Sequence, residues 1–123
     1  MTRIASIAGV ALLVLLSATP AAAATCESLT SLSSPAATVT LAQTVAAGGF
    51  TQPGRGGRAG GANPYATLPA FCRVAATLKP TPQSHIKVEV WLPSNGWNGK
   101  LQVVGNGAWA GTISYGAMAT ALA

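Results

Sequence analysis

Residues 71–78, FCRVAATL, and residues 86–92, IKVEVWL, decide the fold of this chain. In the second stretch Ile86, Val88, Val90 and Leu92 alternate with Lys87, Glu89 and Trp91. That period of two puts alternate side chains on opposite faces of a β-strand and does not suit a helix. The intervening KPTPQS, Lys79 to Ser84, has the length and proline content of a hairpin connection, so the two strands are expected to pair antiparallel.

Upstream, Thr38 to Ala42 (TVTLA) has the β-branched composition of another strand. Cys26 to Ser34 is rich in Ser, Thr and Leu and reads as a short helix or turn, with Leu29 and Leu32 as its apolar contacts and Pro35 as its stop. From Gly48 to Pro64 the chain runs GGFTQPGRGGRAGGANP, too rich in Gly and Pro for regular structure. Downstream, Pro93 to Gly96 forms a turn. Leu101 to Val104 (LQVV) reads as a short strand of the kind buried at the centre of a sheet. A glycine-rich turn, Gly105 to Gly111 (GNGAWAG), follows at once. Ser114 is then placed to cap a helix from Tyr115 to Ala123, with Met118 and Leu122 on its inner face.

At the N-terminus, Met1-Thr2-Arg3 is a short positive region followed by an apolar run, Ile4 to Leu16, then Pro20 and Ala22-Ala23-Ala24. This is the pattern of a secretory signal peptide over residues 1–24, cleaved after Ala24. The apolar run is shorter than the roughly 20 residues a membrane-spanning helix needs, so no membrane association is expected after cleavage. What remains, residues 25–123, is one domain at most.

The composition is unusual for a free-standing domain. Charged residues make up 7% of the chain, against about a quarter in average soluble proteins. So few charges imply surfaces that something else covers. Two cysteines, Cys26 and Cys72, survive cleavage, and in an oxidising compartment an even count reads as one disulfide. Such a bridge would tie the start of the mature chain to a strand and, by loop entropy, contribute about 4 kcal/mol.

A strand leading through a glycine turn into a helix is an arrangement that builds sites. Backbone N–H groups in such a turn can face a phosphate or an oxyanion. For a dinucleotide, Gly105-x-Gly107-x-x-Ala110 has nearly the right spacing, but no acidic residue follows and Trp109 is bulky where a diphosphate would pass. Arg55-Gly56-Gly57-Arg58 has the look of a nucleic-acid-binding repeat, yet it occurs once and without aromatic neighbours. Nucleic acid is therefore not an expected partner. Thr112-Ile113-Ser114-Tyr115-Gly116 is the nearest match to a nucleophile elbow, with Thr where a Gly is needed. The chain has no Asp, and its one His, His85, falls in a turn.

Four segments in this order carry a family resemblance: LPAFCRV (Leu68 to Val74), IKVEVWLP (Ile86 to Pro93), GWNGK (Gly96 to Lys100) and GNGAWAG (Gly105 to Gly111). Together they resemble the N-terminal segment of secreted tannases and feruloyl esterases, serine esterases of the α/β-hydrolase fold. The resemblance implies an α/β class, with an incomplete α/β-hydrolase fold whose visible part is mostly β-strands and a glycine-rich turn leading into a helix. It implies that residues 25–123 are the N-terminal portion of a catalytic domain truncated at residue 123. The substrate would be a small phenolic ester, galloyl or feruloyl, and the Ser-His-Asp triad would lie beyond this chain, which alone would be inactive. Within the chain, the resemblance makes Gly107 and Ala108 candidate backbone donors of an oxyanion hole and places Trp109 beside the pocket. Cys26 and Cys72 match the family's N-terminal disulfide. No cofactor or metal is expected in this chain, a lid calcium falling in the missing part. Location outside the cytoplasm, extracellular or periplasmic, follows from the signal. The competing expectations are a complete exported β-rich module that stacks carbohydrate on Trp91, Trp97 and Trp109, and a surface-interaction domain.

Overall fold

The structure, a computed structural model, describes residues 24–54 and 61–123. The signal segment up to residue 23 and the Arg55–Arg58 cluster lie outside the described residues. Four strands form one antiparallel sheet in the order β1-β2-β3-β4: β1 Ser33–Ser34, β2 Ala37–Val45, β3 Phe71–Leu78 and β4 Ile86–Pro93. A 3-10 helix, Glu27–Ser31, precedes the sheet, and a single α-helix, α1 Tyr115–Leu122, follows it. The described part is thus β-rich, with one helix. No helix among the described residues is long and apolar enough to cross a membrane.

The hairpin read from 71–92 is present. β3 and β4 pair in continuous register from Phe71 opposite Pro93 to Leu78 opposite Ile86. β2 is longer than its TVTLA core because Gln43, Thr44 and Val45 continue along β3 to meet Arg73, Cys72 and Phe71. The register slips between Val39 and Leu41, which leaves Thr40 as an extra residue. Its hydroxyl donates to the Ala75 carbonyl at 3.2 Å.

Two faces result from the register. Phe71, Arg73, Glu89 and Trp91 share one, while Cys72, Val74, Val90 and Leu92 share the other. The mixed face carries the core. Phe71 and Phe50 are fully buried, and Val45, Tyr65 and Leu68 join them, with Trp91, Tyr115, Ala119 and Leu122 packed against the cluster. Aromatic rings meet at its centre: Phe50 meets Trp91 edge-on at 4.6 Å between ring centroids and Tyr65 at 4.9 Å, while Phe71 lies 4.4 Å from Trp91. On the opposite face Ile86, Val90 and Leu92 stay 48%, 42% and 44% exposed.

The glycine-rich connection has no helix or strand in its described part, as its composition predicts, but it supplies the core with Phe50. What seats it is Asn63, whose Nδ2 donates to the carbonyls of Gly48 and Phe50, both at 3.2 Å, while its Oδ1 accepts from the Tyr65 N–H. Gly48 donates its N–H to the Leu68 carbonyl and has φ +67°. A Cβ there would sit 2.6 Å from the Ala66 carbonyl oxygen, so the close approach of the two loop ends requires glycine.

One expected strand is absent. Leu101–Val104 is neither strand nor helix, and Leu101 and Val103 are 84% and 85% exposed where burial in a sheet was expected. An apolar run becomes a central strand only when strands flank it, and no described strand lies beside this one.

Candidate functional site

Residues 105–111 form the turn that the sequence singled out. Ala110 donates its N–H to the Gly107 carbonyl at 3.3 Å, which closes a tight bend around Ala108 and Trp109. Ala108 takes φ +48°, the one non-glycine residue in the left-handed region among the described residues, and Gly111 follows at φ +58°. An alanine held there costs about 1–2 kcal/mol relative to ordinary backbone angles. Such outliers cluster where backbone geometry has a task. The N–H groups of Gly107 and Ala108 donate to no described residue. Trp109 is 99% exposed.

The turn leads into α1, whose first residue is the anchor of the whole segment. Tyr115 lies against Trp91 and Phe50, at centroid distances of 6.1 and 5.5 Å. Its hydroxyl donates to Glu89 Oε2 at 3.0 Å. Ala119 and Leu122 continue the packed stripe one and two turns on, so Leu122 faces inward as expected, whereas the stripe runs through Ala119 and not Met118. Ser114 occupies the N-cap position, with its carbonyl accepting from the Met118 N–H. Its side chain makes no capping hydrogen bond, so it caps by position alone.

Glu89 is the centre of a polar cluster that sequence reasoning missed. Arg73 Nε donates to Oε1 at 2.6 Å and Arg73 Nη2 to Oε2 at 3.1 Å. Trp91 Nε1 donates to Oε1 at 2.8 Å, and Tyr115 supplies the fourth bond. The Glu89 side chain is 4% exposed, and four donors satisfy it. The hydrogen bond to Glu89 raises the Arg73 guanidinium above its ordinary range, and the guanidinium also stands 5.3 Å over the Phe50 ring. Burial raises the Tyr115 phenol, and the neighbouring Glu89 charge adds to the effect. The signal was present in the sequence: Arg73 and Glu89 carry opposite charges on strands read as a hairpin, and diagonal neighbours on one sheet face can pair. What hid it is that the face bearing Lys87, Glu89 and Trp91 looks like the solvent side.

Cys26 and Cys72 form the disulfide, with Cα atoms 5.6 Å apart across 46 residues of sequence. The bridge ties the N-cap of the 3-10 helix to β3, and the helix lies against β2. There the Thr44 N–H donates to Glu27 Oε1 at 2.9 Å, and this bond lowers the Glu27 carboxyl below its ordinary value. A cleft beside the bridge is bordered by Leu29, Thr44 and Leu92, and another by Thr38, Thr77, Lys79 and His85. Neither touches the glycine turn. His85 is exposed, and no group of three metal-ligating side chains occurs among the described residues. The three tryptophans do not form a common platform: Trp91 lies in the aromatic core, whereas Trp97 and Trp109 are exposed.

Two curated relatives match the chain. One, an uncharacterized esterase of Xanthomonas campestris pv. campestris, is 40% identical over 104 residues, which is 85% of this chain and 17% of the relative. The other, named a "probable feruloyl esterase B-1", from Aspergillus oryzae, is 39% identical over 62 residues, 50% of this chain and 11% of the relative. The chain therefore spans less than a fifth of the length of the curated relatives it matches. No protein-family model matches the chain, and no solved structure does.

Proposed function

We propose that this chain is the N-terminal portion of an exported carboxylic ester hydrolase of the α/β-hydrolase fold that cleaves phenolic esters, galloyl or feruloyl. The observation that carries the reading is the 40% identity with an esterase across 85% of the chain. The feruloyl esterase name of the second relative supports the phenolic substrate, together with the four segments from Leu68 to Gly111 that resemble tannases and feruloyl esterases.

In this reading a serine supplied by polypeptide outside residues 1–123 attacks the ester carbonyl, a histidine takes its proton, and an aspartate orients the histidine. This chain contributes one backbone donor of the oxyanion hole. The carbonyl oxygen becomes negative as the tetrahedral intermediate forms, and a backbone N–H fixed in advance stabilises it without reorganisation. The N–H of Gly107 or of Ala108 is the donor, both being free of partners among the described residues. The anchoring of Tyr115 by Glu89 holds the far end of the same turn. Trp109 lies beside the bound phenolic ring, and its full exposure in this chain suits a side chain that another surface or a substrate covers.

The test is a pair of assays with methyl ferulate and methyl gallate. The chain alone is expected to give no turnover. Joined after Ala123 to the polypeptide that follows the aligned segment of the Xanthomonas esterase, it is expected to hydrolyse at least one of the two esters. Turnover by the chain alone, lost on Ser114→Ala, would overturn the placement of the nucleophile. An inert but folded chimera would count against the hydrolase reading itself.

A further inference from the structure

The bonds around Glu89 are of two kinds. Three of the four come from the sheet: two from Arg73 on β3 and one from Trp91, which shares a face of β4 with Glu89. Strands in continuous register thus fix where the carboxylate points, and charge-assisted bonds of this kind are strong and directional. The fourth bond leaves the sheet. Tyr115 donates to Oε2, the oxygen that Arg73 Nη2 also holds. The connection from Tyr115 back to the glycine turn is short and stiff. Its N–H donates to the Ile113 carbonyl at 3.1 Å, and Ser114 between them has φ −85° and ψ 72°. That bond and those angles make an inverse γ-turn. Only Thr112, Ile113 and Ser114 separate Tyr115 from Gly111, so a shift of Tyr115 is passed to the turn.

We propose that Arg73, Glu89 and Tyr115 are positioning residues for the oxyanion turn. Arg73 orients Glu89, Glu89 holds the Tyr115 hydroxyl, and Tyr115 sets where the Gly107 and Ala108 N–H groups stand. Arg73 is the member furthest from the chemistry, because its side-chain hydrogen bonds among the described residues go to Glu89 alone. It also flanks the same ring as Tyr115: the guanidinium stands 5.3 Å over Phe50, and the Tyr115 ring lies 5.5 Å from it. The pairing of Arg73 with Glu89 has a second consequence. A turn that must stabilise a developing oxyanion is not anchored on an uncompensated negative charge. The inference rests on the hydrolase reading for what the turn does, though not for the coupling of Arg73 to the turn.

The experiment has two arms and two conservative variants. Tyr115→Phe keeps the ring and removes the hydroxyl, while Arg73→Lys keeps the charge and loses the paired bonds. In the full chain, NMR order parameters of the Gly107, Ala108 and Ala110 amides are expected to fall in Tyr115→Phe from the rigid range of about 0.85 toward about 0.6. They should fall less in Arg73→Lys, and the amides of β3 and β4 should keep theirs in both. In the chimera, kcat is taken per serine titrated with a fluorophosphonate, so that unfolded enzyme is not counted. A misplacement of about 1 Å lowers a rate by about 100-fold. Tyr115→Phe should therefore lower kcat by about 10- to 100-fold with KM little changed, and Arg73→Lys should lower it less. Combined, the two should cost no more than Tyr115→Phe alone, because Arg73 acts through the hydroxyl that is already gone. Cys26→Ser with Cys72→Ser weakens the fold by another route and should leave kcat per titrated serine unchanged. The inference is overturned if the turn amides keep their order parameters in both variants, if Tyr115→Phe raises KM and spares kcat, or if the two effects on kcat multiply. A chimera that hydrolyses neither ester counts against the hydrolase reading, and the order parameters then decide the coupling by themselves.

Discussion

Removing the Glu89 carboxylate should strongly destabilise the described structure. Two of its four hydrogen bonds come from Arg73, at 2.6 and 3.1 Å, and the others from Trp91 and Tyr115. Glu89→Ala leaves the guanidinium, whose side chain is 15% exposed, with its charge uncompensated, and breaking a buried pair in this way costs about 3–5 kcal/mol. Because Arg73 keeps some contact with water, the lower end, about 3 kcal/mol, is the expected loss. At about 4–8 °C per kcal/mol for a domain of this size, the melting temperature should fall by more than about 12 °C. Glu89→Gln preserves shape and one acceptor and should lose less, about 2 kcal/mol, on the scale of a hydrogen bond to a charged group. Urea unfolding followed by tryptophan fluorescence reads both, Trp91 being in the cluster. The double change Arg73→Leu with Glu89→Leu is the control: apolar replacement of both partners should be less destabilising than Glu89→Ala alone. A Glu89→Ala midpoint within about 0.5 kcal/mol of the parent, the scale of an ordinary surface substitution, would refute the role given to this cluster, as would a double variant as unstable as the two single changes summed.

Other perturbations follow from particular atoms. Changing Cys26 and Cys72 to serine frees a connection of 46 residues and should cost about 4 kcal/mol by loop entropy, read as a lower urea midpoint that reductant no longer affects. Gly48→Ala forces a side chain to φ +67° against the Ala66 carbonyl oxygen and should cost more than the roughly 1–2 kcal/mol of the backbone angle alone, with faster amide exchange at Gly49 and Phe50. The Glu27 carboxyl is lowered from its ordinary 4.5 chiefly by the Thr44 N–H. It therefore contributes stability above that pH, and the contribution is lost as pH falls through its lower folded value. Glu27→Gln should flatten the acid limb of the stability profile below about pH 4.5, and an unchanged limb would remove Glu27 from the account.

How far the sequence revealed these features depends on how local each one is. β3 and β4 were legible because alternation and a short turn are properties of neighbouring residues, and the Cys26–Cys72 bridge because an even pair leaves one partner each. The position of α1 was legible too. The core was not, for Phe50 sits in a stretch whose glycines and prolines signal only irregularity, and its burial depends on Asn63 gathering two distant carbonyls. The inward face of β4 misled for a related reason: Glu89 reads as solvent-facing until Arg73, Trp91 and Tyr115 are brought around it. Leu101–Val104 shows the opposite case, a strand-like run with no strand beside it. In the candidate site, the turn itself was legible, while the left-handed Ala108 and the anchoring of Tyr115 became visible only in three dimensions.

The most direct test of the central claim removes single N–H groups from the turn without touching a side chain. In the active chimera, the amide donated by Gly107 or by Ala108 is replaced by an ester linkage, one position at a time, and kcat is measured on methyl ferulate or methyl gallate, whichever the chimera cleaves. Loss of an oxyanion donor typically lowers kcat by about 100- to 1,000-fold, so one of the two replacements should do so with KM little changed. If both replacements leave kcat within about twofold, this turn does not hold the oxyanion, and the role proposed for it is wrong.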